Sequence, residues 1–258
     1  MKLSCCAYSY RQLFKDGQMA LESFLETCAA LGFDGVELTQ YYFAEETPGY
    51  LNHIKRQAFR LGLDVSGAAL GGDFGTADEA ERDKLVAHVC DWLGKAARLG
   101  APCLRVFGRN QPDGVERETA VGWIRDAIAR CAEAAERHGV VLALENHHGL
   151  TVDAAGTLQL YEPFLSNPWV GLNLDCGNFT GDIYEQFARC ASYTVNVHAK
   201  ATFRQSDARE LVDYRKVVRI MRDAGFDGYM AIEYEEPEPP LTGVDRFAAY
   251  LRGCIVDA

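Results

Sequence analysis

The sequence predicts an α/β protein, a (β/α)₈ barrel (TIM barrel) that residues 1–258 form as a single domain. Three observations support this prediction. Eight strand-like apolar runs each precede a segment with helical apolar spacing. Several of the helix-like segments end in a glycine shortly before the next strand, as at Gly100 and Gly139, which is typical of a helix C-terminus. The length of 258 residues also suits one barrel.

The eight predicted strands are spread over the whole chain. They are Leu3–Tyr8, Gly35–Thr39, Asp64–Ala69, Cys103–Phe107, Val140–Glu145, Val170–Asp175, Thr194–Lys200 and Tyr229–Tyr234. The junction before the second strand, Gly32-Phe-Asp-Gly, recurs as Gly225-Phe-Asp-Gly before the eighth, which indicates one strand–helix design used repeatedly. An open doubly wound sheet would accommodate the same alternation, but the glycine fingerprint of dinucleotide-binding sheets is absent from the sequence.

Composition excludes several classes of protein. The formal net charge of −11 argues against nucleic acid and against an anionic membrane as partners, because both bind basic surfaces. We expect neither a signal peptide nor a membrane span, since no apolar run is long enough. The nine cysteines contain no C-x-x-C pair, which is typical of buried thiols in a reducing compartment and predicts a cytoplasmic location.

Four polar residues end apolar strands, where burial would otherwise be costly. They are Glu145, Asp175, His198 and Glu233. In a barrel, the carboxyl ends of the strands converge on one pocket, so we expect these side chains to meet. The alternation of strand residues places Asn173 on the same face as Asp175, and Asn196 and Lys200 on the same face as His198.

Three carboxylates clustered with one imidazole are electrostatically unfavourable unless a cation balances them. Oxygen ligands with one nitrogen suit a single divalent metal ion, for which we favour Mn²⁺ and retain Mg²⁺, Co²⁺ and Zn²⁺. The alternative for any one of these residues is a buried charge paired with a neighbour, or a catalytic acid that works without metal.

The motifs around these residues resemble those of a known family. Glu145-Asn-His-His-Gly, Asn173-Leu-Asp-Cys-Gly-Asn, Val197-His-Ala-Lys and Gly228-Tyr-Met-Ala-Ile-Glu are similar to the signature strands of the xylose-isomerase-like barrel superfamily, in its sugar phosphate isomerase/epimerase branch. That branch includes the ketose 3-epimerases and hydroxypyruvate isomerase. The resemblance covers essentially the whole chain. It implies that Glu145, Asp175, His198 and Glu233 are metal ligands and that Glu145 and Glu233 are also the acid/base pair.

The resemblance also has consequences for substrate binding. Arg204 falls where the epimerases place a substrate-contacting arginine, and His147 shares the inward parity of Glu145. Two positions depart from the pattern: Asn178 replaces a histidine, and Ala199-Lys200 replaces a Gly-Glu pair found in several epimerases. We predict that His147, Asn178, Lys200 and Arg204 contact the substrate, and a salt bridge of Lys200 to Glu233 or a neighbour is an equal alternative.

The chemistry that follows is proton transfer beside a carbonyl. One carboxylate removes the proton, a metal ion stabilises the enediolate, and a second carboxylate returns the proton. The sequence therefore predicts a metal-dependent isomerase or epimerase of a small sugar, keto sugar or sugar phosphate. The alternatives are a lyase or dehydratase that acts on a keto sugar or 3-keto-glycoside by β-elimination, and a barrel that binds without catalysis. A homo-oligomer is compatible with families of this type.

Three further positions carry weaker hypotheses. Arg105, on the fourth strand, is expected to support a carboxylate from behind. Glu37, on the second strand, is an interior polar group for which we considered an orientation toward substrate. The acidic run from Glu233 to Pro240 is typical of a solvated loop.

Overall fold

The computed structural model describes residues 1–205 and 208–257, with the backbone alone at residues 204, 205 and 208. Eight parallel strands close into a barrel in which each strand pairs with its neighbours in chain order. These strands are β1 (Lys2–Cys6), β2 (Gly35–Thr39), β3 (Asp64–Ala69), β4 (Cys103–Val106), β5 (Val141–Glu145), β6 (Val170–Asp175), β7 (Thr194–Ala199) and β10 (Tyr229–Ile232). The predicted barrel is confirmed, and the observed strands keep the predicted positions with ends that differ by one or two residues.

Helices surround the barrel and cover its outer face. They are α1 (Arg11–Lys15), α2 (Leu21–Ala30), α3 (Pro48–Arg60), α4 (Glu79–Leu99), α5 (Arg117–His138), α6 (Ala154–Tyr161), α7 (Ile183–Cys190), α8 (Tyr214–Asp223) and α9 (Pro240–Asp257). Helix α4 buries Val86, Val89 and Leu93, at the spacing of one helical face. It ends at Gly100, whose φ of 87° favours glycine. No described helix has the length and apolar character needed to cross a membrane.

An antiparallel hairpin that the sequence did not predict follows the seventh barrel strand. It consists of β8 (Thr202–Gln205) and β9 (Ala208–Leu211). The hairpin was missed because its strands, Thr-Phe-Arg-Gln and Ala-Arg-Glu-Leu, carry too few apolar residues to show a strand pattern. It lies between β7 and α8, so it borders the carboxyl end of the barrel.

Two strand pairings in the barrel shift register. The shift in the β2–β3 pairing falls between Val36 and Glu37, and the shift in the β6–β7 pairing falls between Leu172 and Asn173. An extra residue in one strand of a pair re-aims the side chains beyond it. Both Glu37 and Asn173 are buried polar residues that follow such a shift. These irregularities therefore set the direction of polar side chains inside the barrel.

Gly156 allows helix α6 to pack against the loop that follows β5. A Cβ atom at this position would lie 1.9 Å from the carbonyl oxygen of Leu150, so no larger residue fits without a backbone shift. Asp153 caps the same helix by accepting a hydrogen bond from the Gly156 N–H at 2.7 Å. Gly122, in α5, offers a contrast, since a Cβ atom there would meet nothing within 4 Å.

These two glycines predict stability changes of opposite sign. Gly156→Ala should lower the free energy of unfolding by about 1–3 kcal/mol through overpacking. Gly122→Ala should raise it by about 0.4–1 kcal/mol, because alanine has less backbone entropy to lose and prefers the helix. Urea denaturation of the two variants measures both changes. If Gly156→Ala were as stable as Gly122→Ala, the close approach of residue 156 to the carbonyl oxygen of Leu150 would be contradicted.

Candidate active site

The four polar strand-end residues meet at the carboxyl end of the barrel. Glu145 and Asp175 end β5 and β6, His198 lies near the end of β7, and Glu233 directly follows β10. One ligand atom from each lies within 4.8 Å of all the others, and all four residues are buried. The imidazole is central: its Nδ1 atom is 3.6 Å from Glu145 Oε1, 3.9 Å from Asp175 Oδ2 and 3.7 Å from Glu233 Oε1.

A chain of hydrogen-bonded polar groups holds His198 from behind. The imidazole Nε2 lies 2.9 Å from Glu37 Oε1. Asn196 donates to the other Glu37 oxygen at 2.8 Å and to Asn173 Oδ1 at 2.6 Å. The hypothesis that Glu37 is oriented toward substrate is therefore wrong, because its carboxylate contacts the imidazole of His198. The predicted common inward face of Asn173 and Asn196 agrees with their contact.

Arg105 supports Glu145 as the sequence predicts. Its Nε atom is 2.9 Å from Glu145 Oε2, and its Nη1 atom donates to the carbonyl oxygen of Leu70 at 2.8 Å. Burial alone would raise the pKa of Glu145, but the Arg105 guanidinium and the His198 imidazole outweigh it and lower that pKa to about 2. Glu145 is therefore ionised at neutral pH.

Lys200 is the second buried cation of the site. Its ammonium lies 3.2 Å from Asp175 Oδ2, 3.3 Å from Glu233 Oε2 and 3.1 Å from Glu235 Oε2. It also donates a hydrogen bond to Asn178 Oδ1 at 3.3 Å. The salt bridge considered for Lys200 is thus present, and it reaches three carboxylates. Glu235 belongs to the acidic run predicted to be a solvated loop, and for this residue the prediction is wrong.

The donor set fits a divalent cation. Among the described residues, His198 Nδ1 is a buried atom that finds no hydrogen-bond partner, and Asp175 Oδ2 has the Lys200 ammonium at 3.2 Å as an ion-pair partner. Burial and the neighbouring carboxylates Glu145 and Glu233 raise the pKa of Asp175 to about 8. Asp175 therefore holds a proton more readily than an ordinary aspartate, as a carboxyl buried among other carboxylates does. The imidazole has one nitrogen hydrogen-bonded to a carboxylate and the other directed at the cluster, which is the usual arrangement of a metal-binding histidine.

A cavity of about 290 Å³ lies above the cluster. Its lining includes Glu145, Glu233 and Lys200, together with His147, Tyr8 and Phe107. The ring of His147 meets Phe107 edge-on at 5.4 Å. Burial lowers the pKa of His147 to about 3, with Arg109 and Lys200 adding to the effect, so the imidazole is neutral. Of the substrate contacts predicted from sequence, His147 and Lys200 line this cavity.

A third predicted substrate contact, Asn178, lines a neighbouring cavity. Asn178 donates to Glu145 Oε1 at 3.3 Å and lines an adjoining cavity of about 530 Å³. The two cavities share Tyr8, Lys200 and Glu235. The side chain of Arg204 lies outside the described part of the structure. Sequence reasoning missed Tyr8 and Arg109, which carry no distinguishing pattern, and it missed Glu235, whose inward parity with Glu233 was a usable signal.

The chain is similar in sequence to several known proteins. The chain is 27% identical over 195 residues to the C-glycoside deglycosidase alpha subunit of Microbacterium trichothecenolyticum, a match that covers 70% of the chain and 50% of the relative. It spans about half the length of such curated deglycosidase relatives. It is also 23% identical over 273 residues to an L-ribulose-5-phosphate 3-epimerase of Escherichia fergusonii, which covers 96% of the chain and 94% of the relative.

The solved structures agree in fold. D-psicose 3-epimerase from Clostridium cellulolyticum H10 superimposes with a TM-score of 0.80 at 15% identity, over 99% of both chains. The curated relatives are sugar-acting enzymes by name, which confirms the prediction of an enzyme. The sequence model of the xylose isomerase-like TIM barrels matches residues 25–254, and this match confirms the resemblance drawn from the strand motifs. The chain therefore belongs to the family of xylose isomerase-like TIM barrels.

Proposed function

We propose that this enzyme is a divalent-metal-dependent isomerase or epimerase of a small sugar, keto sugar or sugar phosphate. The observation that carries the proposal is the placement of two buried carboxylates around one imidazole. Glu145 lies 3.6 Å and Glu233 lies 3.7 Å from His198 Nδ1. In the barrel wall, β6 and β7 separate β5, which carries Glu145, from β10, which precedes Glu233. Both line the same cavity, and we expect them to approach a substrate from different sides.

Four residues would hold the cation: Glu145, Asp175, His198 and Glu233. Three carboxylates and an imidazole suit Mn²⁺ first, and Mg²⁺, Co²⁺ and Zn²⁺ are also compatible. When bound, the cation supplies positive charge that stabilises the negative charge developing on the oxygens of a sugar. Glu37 would keep the His198 imidazole in the tautomer and orientation needed for binding.

The two glutamates would move the proton. Glu145, ionised under the influence of Arg105, accepts the proton from a carbon beside the substrate carbonyl. Glu233 reaches the substrate from the other side and returns a proton, and the two exchange roles in the reverse reaction. Return to the same carbon from the opposite face gives epimerisation, whereas return to the neighbouring carbon gives aldose–ketose isomerisation.

Substrate oxygens would meet polar groups at the rim. Neutral His147 and the Lys200 ammonium line the cavity above the glutamates. Asn178 lies between Glu145 and Lys200, within hydrogen-bond distance of both. We assign these three residues and Arg204 to substrate binding. Asn178 and Lys200 differ from the epimerase pattern, so we expect them to select the sugar.

The acid/base roles predict a loss of proton exchange. Glu145→Gln and Glu233→Gln should each lower the rate of deuterium incorporation from D₂O into a reactive ketose by about 10²–10⁴-fold, because an amide cannot accept the proton. The measurement is NMR of a panel of free and phosphorylated ketoses incubated with Mn²⁺. Glu136→Gln, at an exposed position of α5, is the matched control and should exchange at the wild-type rate. Wild-type exchange in either active-site variant would remove that residue from the mechanism.

The cation should be required for the same exchange. Treatment with a chelator should abolish deuterium incorporation, and Mn²⁺ added back in excess should restore it, because the bound cation would stabilise the negative charge that develops on the substrate oxygens. The assay is the same NMR measurement before and after dialysis. Undiminished exchange in fully chelated protein would contradict a metal-dependent reaction.

Glu37 should act on metal affinity. Glu37→Gln should weaken Mn²⁺ binding by roughly 10- to 100-fold, because the amide no longer accepts the imidazole N–H as a carboxylate does. Mn²⁺ binding to metal-free protein, followed by electron paramagnetic resonance of the free ion, gives the affinity directly. Glu136→Gln again serves as control, and Glu37→Asp should recover part of the loss. Equal affinities in the wild type and Glu37→Gln would exclude this orienting role.

A lyase is the second candidate function. It is favoured by the match to C-glycoside deglycosidase subunits and by the second cavity, which adds space beyond the sugar-sized one. The same base would remove a proton beside a ketone, and a leaving group would depart from the next carbon. Product NMR separates the two functions, because only the lyase releases a leaving group.

A further inference from the structure

We propose that Arg109 selects substrates that carry an anionic group, either a phosphate or a carboxylate. The inference rests on the proposed function and narrows its substrate class. Arg109 lies in the loop between β4 and α5 and lines the same cavity as Glu145 and Glu233. It has no part in the proposed metal site or in the proton transfer, so its charge is available for another purpose.

Three cations line this cavity, and carboxylates already engage two of them. Arg105 pairs with Glu145 at 2.9 Å, and the Lys200 ammonium lies within 3.3 Å of three carboxylates. Arg109 has one ion pair in the described part of the chain, in which its Nε atom is 3.4 Å from Asp73 Oδ2. Its Nη1 atom is buried and finds no hydrogen-bond partner there. Because a guanidinium has five N–H donors, Arg109 keeps the capacity to bind an anion.

The carboxylate of Asp73 has a structural role of its own. Its Oδ1 atom accepts hydrogen bonds from three backbone N–H groups, those of Gly75 at 2.8 Å and of Arg109 and Asn110 at 3.2 Å each. These bonds join the loop after β3 to the loop after β4. Asp73 therefore serves several donors, and the guanidinium of Arg109 is one among them.

The backbone and the ring of Phe107 hold Arg109 in place. Its carbonyl oxygen accepts a hydrogen bond from the Leu150 N–H at 2.7 Å. A Cβ atom at Gly149 would lie 2.3 Å from the same oxygen, so this close approach requires glycine. The guanidinium carbon lies 3.9 Å from the centre of the Phe107 ring, which is a cation–π contact. An anion would therefore meet a guanidinium that is already ordered, and less entropy is lost on binding.

The chemistry of the guanidinium identifies the class of ligand. Its planar fork donates paired hydrogen bonds to two oxygens of one carboxylate or phosphate. These charge-assisted bonds are stronger than hydrogen bonds to a neutral hydroxyl. A sugar phosphate and a sugar acid each present such a group, whereas a free ketose does not.

Binding of three matched probes tests the proposal without turnover. The probes are a pentitol, the same pentitol with a terminal phosphate, and the corresponding pentonate with a terminal carboxylate. Isothermal titration calorimetry in the presence of Mn²⁺ measures the three affinities. In the wild type, at least one anion should bind roughly 10-fold or more tightly than the pentitol.

Replacement of Arg109 should remove this preference. Arg109→Met keeps the length of the side chain without its charge. It should weaken binding of the preferred anion by roughly 10- to 100-fold and change that of the pentitol by less than about twofold. Arg109→Lys should recover part of the loss. The anion that loses affinity identifies the group as phosphate or carboxylate.

Arg137→Met, at an exposed position of α5, is the matched control and should bind all three probes as the wild type does. A wild type that binds none of the probes, or the pentitol as tightly as both anions, would overturn the proposal. An anion preference that survives in Arg109→Met would overturn it as well, since a purely structural role would weaken all probes alike. If Arg109→Met does not fold by circular dichroism, Arg109→Gln takes its place, and if neither folds the wild-type affinities decide.

Deuterium exchange into ketoses separates this inference from the function on which it rests. If the wild type prefers an anionic probe but exchanges no ketose, the isomerase or epimerase function fails and the selectivity of Arg109 stands. If ketoses exchange but the three probes bind alike, the selectivity alone fails.

Discussion

The concentration of buried negative charge at one end of the barrel is the constraint on which the rest of this structure depends. Glu37, Glu145, Asp175 and Glu233 are all buried around the single imidazole of His198. Each unpaired carboxylate in such a position would cost several kcal/mol. Buried cations pair with these carboxylates, and hydrogen bonds hold the imidazole from behind. The ligand atoms of Glu145, Asp175, His198 and Glu233 form a set suited to a divalent ion.

Two buried cations of the protein, Arg105 and Lys200, pair with different carboxylates of the site. Arg105 contacts Glu145 from β4 and keeps it ionised, and its own guanidinium is tied to the Leu70 carbonyl oxygen. Lys200 bridges Asp175 and Glu233 and reaches outward to Glu235. One cation therefore serves a proposed proton-transfer residue, and the other links the proposed metal site to the rim. The Lys200 ammonium borders both cavities, so a change of this residue would alter both the charge around the proposed metal site and the shape of the cavities.

The family relationship establishes the barrel fold, and the chemistry at its carboxyl end is our proposal. The family model matches residues 25–254, and the fold agrees with a solved D-psicose 3-epimerase over nearly the whole chain. The rim differs from the epimerase pattern at Asn178 and Lys200. The two adjoining cavities share Tyr8, Lys200 and Glu235, and the proposed isomerase, epimerase and lyase reactions would all use the same two glutamates.

The sequence by itself determined the barrel, the strand positions and the four residues that meet at their carboxyl ends. These features depend on local patterns: a period of two in strands, a period near 3.6 in helices, and the convergence of parallel strand ends. Only the tertiary structure decided that Glu37 supports His198, from 161 residues away, and that Glu235 turns inward to Lys200. It also decided that the hairpin of β8 and β9 forms. Such contacts depend on register shifts and on distances across the barrel, which no local pattern records.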